Sequence, residues 1–266
     1  MLKLENDPTA KNLSILKPSK QVILFVTGLI GLVLLSLLLD IFIKLIAKNV
    51  APTQYDYEVF THSTLASMIL NGSCYLILGV AFIIILKNDS DEIFKSFKGW
   101  KPFVAGLIGL SAIMAFNLTY NMILTATGVN ISDNANETTL NTIVTDFPLA
   151  SILLFAFIGP VCEELTYRVG LFSLARRLNR IFAYLITIIV FTLIHFDFFS
   201  STMVNELLNI PLYAFAAFVF TFLYEKYGLA ASLSSHITNN LISLMMTILS
   251  VIRLWKRTSF LSMVLP

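Results

Sequence analysis

Residues 147–169 read FPLASILLFAFIGPVCEELTYRV, a largely apolar stretch that carries no charge as far as Cys162 and three charged residues after it. A helix needs about 20 such residues to cross the hydrocarbon core of a bilayer, because lipid offers no partner to a free backbone N–H or C=O group. The stretch therefore predicts a membrane-spanning helix. Its charged residues, Glu163, Glu164 and Arg168, lie where an ionisable group costs about 2.5–3.5 kcal/mol, so they are candidates for function.

Six further apolar stretches of similar length accompany this one. They cover residues 22–46, 64–86, 102–126, 181–199, 207–225 and 229–252. The composition agrees, since 57% of the 266 residues are hydrophobic and only 13% are charged, against about a quarter in soluble domains. A soluble enzyme and a disordered chain are thereby excluded, and a net charge of +2 gives no basic surface for nucleic acid. The sequence predicts an all-α polytopic transmembrane helix bundle.

The basic residues alternate from loop to loop along this bundle. Twelve lie in the arm 1–20, in the loops after residues 86 and 169, and at Lys226, whereas Lys44 and Lys48 are the only ones on the opposite loops. Because loops rich in Lys and Arg stay in the cytoplasm, we predict a multi-pass protein of the cell membrane with a cytoplasmic N-terminus. The Asn- and Thr-rich stretch 127–146 is then predicted to be an external loop. Three basic residues after position 252 oppose this assignment with seven spans.

The charged residues of the stretch 147–169 differ in whether a residue of opposite charge lies within reach on the same helix. On a helix, Glu164 and Arg168 are i,i+4 neighbours with the acid first, which is the favourable order for an ion pair. Glu163 is displaced by about 100° and lacks that partner. One carboxylate is then neutralised while the other stays available for chemistry. A structural ion pair with a spare acid at the membrane edge is the alternative interpretation.

Two of the three histidines also lie within predicted spans. His195 lies on the fifth, and His236 and Asn240 share one face of the seventh, because they are four residues apart. At about 1.5 Å per residue, Glu163 and these three residues lie roughly 15–22 Å from the cytoplasmic basic residues. The sequence therefore predicts one polar chamber formed by several spans. A membrane histidine that only packs and hydrogen bonds is the alternative for each histidine taken alone.

Hydrolysis of a peptide bond without a nucleophilic side chain needs a base for water and donors for the tetrahedral oxyanion. The three motifs fit this chemistry: Glu163-Glu164-x-x-x-Arg168, Phe191-x-x-x-His195 and His236-x-x-x-Asn240. In this order, each on its own span, they resemble the signatures of the CAAX prenyl protease 2 family, also called CPBP or Abi. That family includes bacterial lysostaphin-resistance-like and bacteriocin self-immunity proteins. The resemblance covers residues 147–252.

The resemblance implies an intramembrane endopeptidase that acts on membrane-associated peptides or proteins in a lipid environment. By motif, Glu163 and His195 would activate water, and His236 and Asn240 would stabilise the oxyanion. The neighbouring pair, Glu164 and Arg168, would orient the site. Peptide maturation or bacteriocin self-immunity would be the biological role.

Together with the predicted spans, the resemblance organises the chain into four segments. These are an N-terminal arm (1–20), the first transmembrane helices with the external loop (21–146), a four-helix catalytic core (147–252) and a C-terminal tail (253–266). The family commonly has eight spans and this chain shows seven, so we predict seven to eight.

Three alternatives remain beside a glutamate-dependent protease without a cofactor. Glu163, His195 and His236 could ligate zinc with water as the fourth ligand, although the chain has no HExxH motif. A transporter could use Glu163 and His195 as a proton relay, but such proteins often contain internal repeats and none is found here. A non-catalytic immunity or scaffold protein could keep the same fold.

Overall fold

The computed structural model describes residues 10–13 and 16–264, and the side chains among them up to residue 253. Most of the predicted N-terminal arm and the side chains of the C-terminal tail therefore lie outside the described residues. The described part contains ten α-helices and no strand, when each π-helical turn is counted with the helix that it interrupts. The predicted all-α membrane bundle is confirmed.

Six helices of the described part are long and apolar enough to cross a membrane. They are Pro18–Val50 (α1), Thr64–Leu86 (α3), Lys101–Ala126 (α5), Pro148–Ala175 (α7), Met203–Tyr227 (α9) and Leu229–Val264 (α10). Four shorter helices connect or flank them: Gln54–Thr61 (α2), Ser90–Phe94 (α4), Ala135–Asp146 (α6) and Arg180–Leu193 (α8). The last helix runs on past the predicted end at residue 252, and the described residues contain no eighth span.

The fifth predicted span is shorter in the structure than its apolar run. Helix α8 has 14 residues and so a length of about 21 Å, and the chain turns at Ile194 and His195. Asp197 follows this turn, and its carboxylate accepts the backbone N–H of Phe199 at 2.9 Å. Such a local bond competes with the helical ladder, and hydropathy alone does not register it.

The stretch 127–146 is not simply the loop that its composition predicted, because it contains helix α6. Asn134 caps this helix by accepting the backbone N–H of Glu137 at 2.9 Å, which is what Asn does well at an N-cap. Ile143 and Val144 are buried on the side of α6 that packs against α3 and α10. The polar residues that suggested a loop are the cap and the outer face of an amphipathic helix.

Helix α7 lies at the centre of the bundle and contacts α1, α3, α8 and α10. It contains two π-helical segments, Ile152–Ile158 and Leu165–Phe172, with the two glutamates in the α-helical turn between them. Such segments inside α-helices often occur at functional sites. The segment Leu165–Phe172 is entirely buried, whereas α1 exposes Leu34, Leu37 and Leu38 as a lipid-facing surface does.

Gly170 permits the close packing of α7 against α1. A Cβ at this position would lie 2.9 Å from the backbone nitrogen of Phe25 and 3.2 Å from the carbonyl oxygen of Gln21, and neither is a flexible group. We expect Gly170→Ala to destabilise the protein by about 1–3 kcal/mol, as overpacking of a tight core does. Thermal unfolding of the purified protein in detergent would show this as a lower Tm. The matched control is Gly31→Ala in α1, where the nearest atom to a new Cβ is 3.7 Å away, and an equal loss there would contradict the prediction.

Candidate active site

A cavity of about 380 Å³ lies among α3, α6, α7, α9, α10 and the end of α8. Four of the six predicted site residues line it, and these are Glu163, His195, His236 and Asn240. Glu164 and Arg168 lie behind its wall and are completely buried. The structure thus brings together residues that are up to 77 positions apart in the chain, and their chemical roles stay predictions.

Glu163 is held by one carboxylate oxygen. Its Oε1 accepts the hydroxyl of Tyr75, on α3, at 3.0 Å. Its Oε2 is buried, accepts no hydrogen bond from the described residues, and lies 3.7 Å from Nε2 of His236. That spacing is too long for an ordinary hydrogen bond, so one lone-pair-bearing oxygen remains available at a fixed position.

His236 is oriented by the neighbouring carboxylate. Its Nδ1 lies 2.8 Å from Oε1 of Glu164, whose other oxygen accepts the hydroxyl of Ser232. The ring also stacks on Phe220 with 4.4 Å between centroids. Since a carboxylate only accepts, Nδ1 carries a proton and Nε2 faces Glu163.

The predicted ion pair between Glu164 and Arg168 is present. Arg168 Nη1 lies 3.2 Å from Oε1 of Glu164, and neither side chain has any exposure to solvent. The guanidinium also lies over the ring of Phe191, 4.5 Å from its centroid. One buried carboxylate thus serves an arginine and a histidine together, which links the packing of the bundle to the orientation of His236.

His195 lies in the turn after α8 and not on the predicted helical span. Its Nδ1 is 2.8 Å from the carbonyl oxygen of Phe191, and its ring stacks on Tyr213 at 4.7 Å. A carbonyl only accepts, so Nδ1 carries the proton and the neutral ring keeps a lone pair on Nε2. The backbone carbonyl of His195 accepts the side-chain amide of Asn134 at 3.1 Å. Because α8 ends at Leu193, the ring of His195 points in a different direction from the one it would have on a continuous helix.

Asn240 is attached to the backbone of α7. Its amide nitrogen donates to the carbonyl oxygen of Phe155 at 3.1 Å, within the first π-helical segment. A primary amide has two N–H groups, so a second remains for a ligand in the cavity.

Three further residues around the site were missed by sequence reasoning. Tyr75 holds Glu163 from a helix that carries none of the motifs, and no sequence signal singled it out. Asn134 lies in the stretch interpreted as a loop. Glu206 accepts the backbone N–H groups of Ala135 at 2.8 Å and Asp197 at 3.1 Å, and so fastens α6 to the turn after His195. Glu206 directly precedes the apolar stretch 207–225, and an acidic residue in that position could have marked it as a candidate functional residue.

The described residues contain no group of three or more His, Cys, Asp or Glu side chains arranged to hold a metal ion. As placed, Glu163, His195 and His236 do not fit the compact three-ligand site of a catalytic zinc.

Glu137 lies on the cavity side of α6, outside the spanning helices. Burial, followed by the nearby charge of Asp133, raises the pKa of its carboxyl above the ordinary 4.5. The folded state then holds this proton to higher pH than the unfolded state does, so stability falls as pH rises through that window. We expect Glu137→Gln to raise Tm at pH 8 and to lose that advantage below pH 4.5.

Thermal scans across this pH range would measure the effect of Glu137→Gln. The control is Glu58→Gln, an exposed glutamate on α2, which should leave Tm unchanged. A wild type that is the more stable protein at pH 8 would contradict the prediction.

The fold and the cavity define a class of protein: a membrane-embedded helix bundle with a buried carboxylate and two oriented histidines around a cavity. Residues 145–242 match the family model described as type II CAAX prenyl endopeptidase, Rce1-like. The match confirms the resemblance to the CAAX protease family over these residues, and it supports a CAAX-type intramembrane protease in general.

Among curated proteins, an uncharacterized protein of Mycoplasma capricolum subsp. capricolum is 27% identical over 198 residues, which is 66% of this chain. The aligned region covers 56% of that relative, so the chain spans little more than half of its length. No solved structure matches the chain.

Proposed function

We propose that the protein is an intramembrane endopeptidase of the glutamic type, which hydrolyses membrane-associated peptides or proteins without a metal. The observation that carries the proposal is the state of Glu163. Tyr75 fixes one of its oxygens, while the other has no hydrogen-bond partner among the described residues and lies opposite His236 in a cavity. A buried carboxylate left in this state suits the task of a general base.

In this mechanism Glu163 takes one proton from water, while His195 accepts a hydrogen bond from the other O–H group, as the water oxygen forms a bond to the carbonyl carbon of the peptide. Nε2 of His195 has the lone pair for this task, because its Nδ1 is committed to Phe191. The proton then passes to the leaving amine as the C–N bond breaks, so that atoms and charge balance. A carboxyl group and an amine are the products.

The oxyanion of the tetrahedral intermediate would be stabilised by His236 and Asn240. With Nδ1 of His236 donating to Glu164, Nε2 can donate only when the ring is a cation, and that cation lies between two carboxylates. Asn240 offers its second amide N–H. Preorganised donors of this kind typically contribute about 10²–10³-fold each to the rate.

Peptide maturation or bacteriocin self-immunity is the role that we propose, because the family that the three motifs resemble includes bacteriocin self-immunity proteins. Mapping of new peptide termini in membrane fractions tests the protease itself. Cells would express the wild type or Glu163→Ala, Glu164→Ala or His195→Ala at equal levels. The same termini should vanish in all three variants. Unchanged termini beside a persistent cellular phenotype would identify a non-catalytic scaffold.

Tyr75 should act as a positioning residue for Glu163. We expect Tyr75→Phe to lower kcat about tenfold or more and to leave KM unchanged, because a hydrogen bond to a charged group contributes about 1.5–3 kcal/mol. Cleavage kinetics on the substrate found by terminus mapping would measure this. The control is Tyr120→Phe, which removes a hydroxyl bonded at 3.0 Å to the carbonyl of Leu208, away from the cavity. Equal effects of the two variants would show that Tyr75 is merely structural.

A further inference from the structure

The turn that carries His195 is held by side chains from two other helices. Past Leu193 the backbone leaves the helical ladder of α8, so its buried polar groups need partners elsewhere. The carbonyl oxygen of His195 accepts the side-chain amide of Asn134, the N-cap of α6, at 3.1 Å. Two residues further on, the N–H of Asp197 donates to Oε2 of Glu206, on α9, at 3.1 Å. The backbone that directly follows the His195 ring is therefore fixed by side chains and not by a helix of its own.

Glu206 uses both of its carboxylate oxygens on backbone groups. While Oε2 accepts the N–H of Asp197, Oε1 accepts the N–H of Ala135 at 2.8 Å. Ala135 is the first residue of α6, so the carboxylate lies at the positive end of that helix dipole. The side chain is 1% exposed, although burial of an ionisable group in a membrane bundle is costly. The carboxylate thus joins two backbone segments that no helix joins.

One face of α9 carries two further residues that act on the same region. Glu206, Asn209 and Tyr213 are spaced three and then four residues apart, and they therefore lie on one side of the helix. Asn209 donates to the carbonyl oxygen of Ser132, in the segment before α6, at 3.0 Å. Tyr213 stacks on the ring of His195 with 4.7 Å between centroids. The ring, its turn and the start of α6 are all fixed against this face of α9.

We propose that Glu206 is a positioning residue for His195 and that it acts with Asn134 as one clamp. The inference rests on the proposed protease function and adds to it a residue that acts only through another. Glu206 is not among the described residues that line the cavity, whereas His195 is. A displacement of about 1 Å can cost about 10²-fold in rate, so the turn has to hold the ring at a fixed distance from Glu163.

Glu206→Gln tests the clamp with little change in shape. The amide keeps one acceptor oxygen, but its NH₂ group would face one of the two backbone N–H groups, and two donors form no hydrogen bond. We expect kcat to fall about tenfold or more. KM should stay nearly unchanged, because the cavity keeps its lining residues. Cleavage kinetics on the substrate found by terminus mapping would measure both quantities, and an unchanged kcat would overturn the inference.

The matched control is Glu225→Gln, which removes a second buried carboxylate of the same helix. Glu225 pairs with Arg176 at 2.9 Å and with Arg180 at 2.8 Å, about 28 Å along α9 from Glu206. We expect this variant to have a lower Tm and a kcat close to that of the wild type, when both variants are assayed below their Tm. An equal fall of kcat in the two variants would show that Glu206 acts only through the stability of the bundle, and the inference would be wrong.

Asn134→Ser tests the other half of the clamp. Serine is a good N-cap, so α6 keeps its cap, but the shorter side chain does not reach the carbonyl oxygen of His195. If both residues act through one turn, the effects of Asn134→Ser and Glu206→Gln on kcat will not add in the double variant. We expect the double variant to be about as slow as the slower of the two single variants. Effects that multiply would contradict a shared clamp.

A measurement without substrate separates this inference from the protease proposal. The chain has three histidines, so proton–nitrogen NMR spectra of protein with isotope-labelled histidine contain few ring signals. His195→Gln would identify the signal of the His195 Nδ1–H group, whose nitrogen lies 2.8 Å from the carbonyl oxygen of Phe191. We expect Glu206→Gln to shift this signal and to speed its exchange with water, and we expect Glu225→Gln to leave it unchanged.

The NMR result stands whether or not a substrate is cleaved. An unchanged His195 signal in Glu206→Gln would overturn the inference even if the wild type is a protease. A shifted signal, together with no cleavage by the wild type, would support the clamp and reject the protease proposal.

Discussion

Glu163→Gln is expected to abolish peptide cleavage and to leave the fold intact. The amide has the same shape as the carboxylate, and its oxygen still accepts the hydroxyl of Tyr75, which is 3.0 Å away in the wild type. It cannot take a proton from water at neutral pH. General base catalysis contributes about 10²–10⁴-fold, so kcat should fall at least a hundredfold with KM nearly unchanged.

Purified enzyme in detergent or liposomes, assayed on the substrate found by terminus mapping, would show this loss. Thermal unfolding measured in parallel should give the wild-type Tm within a degree or two. Glu58→Gln makes the same chemical change on the exposed helix α2 and should alter neither quantity. If Glu163→Gln retains a tenth of the wild-type kcat, Glu163 is not the base and the proposed mechanism is wrong.

Glu164→Gln is expected to lose both stability and activity. The wild-type carboxylate is completely buried and pairs with Arg168 at 3.2 Å, while it also holds Nδ1 of His236 at 2.8 Å. Its neutralisation leaves an uncompensated arginine in the core, and breaking a buried pair in this way costs about 3–5 kcal/mol. The anionic partner of His236 is lost in the same step, so the cationic ring that would donate to the oxyanion loses a charge that stabilises it.

A double variant separates these two consequences. Glu164→Gln combined with Arg168→Met removes both charges, and such replacements often recover most of the stability. We expect the Tm of the double variant to return toward the wild-type value while cleavage stays low. Recovery of cleavage together with Tm would show that Glu164 acts only through the stability of the bundle. A single Glu164→Gln variant with the wild-type Tm would show that the ion pair contributes no stability.

The spanning helices and the i,i+4 pair could be predicted from the sequence because both depend on local chemistry. Hydropathy over about 20 residues decides whether a helix can lie in lipid, and helix geometry alone brings Glu164 and Arg168 together. The family match over residues 145–242 confirms the resemblance that the three motifs suggested, while the role of each motif residue stays a prediction. Helix rise predicted that Glu163, His195, His236 and Asn240 lie near one level of the bundle, but it did not predict that all four face one cavity.

Helix α6 and the position of His195 are two features that local sequence patterns did not predict. Asn is common both in loops and at the N-cap of a helix, so the sequence alone does not tell which of the two Asn134 occupies. Its hydrogen bond with the backbone of Glu137 and the burial of Ile143 show that it caps a helix. The apolar run of the fifth span continues past Leu193, yet the chain turns there and directs His195 into the cavity.

The sequence by itself determined that this chain is a membrane helix bundle with charged groups at mid-depth, because every backbone polar group in lipid must be bonded within its own helix. Only the tertiary structure decided which contacts those groups make. Tyr75 reaches Glu163 across 88 positions, and Glu164 reaches His236 across 72, because the packing of separate helices brings them together. The sequence pattern of one helix does not say how a neighbouring helix is rotated about its own axis. The hydrogen-bond partner of each candidate catalytic residue is therefore known only from the packed bundle.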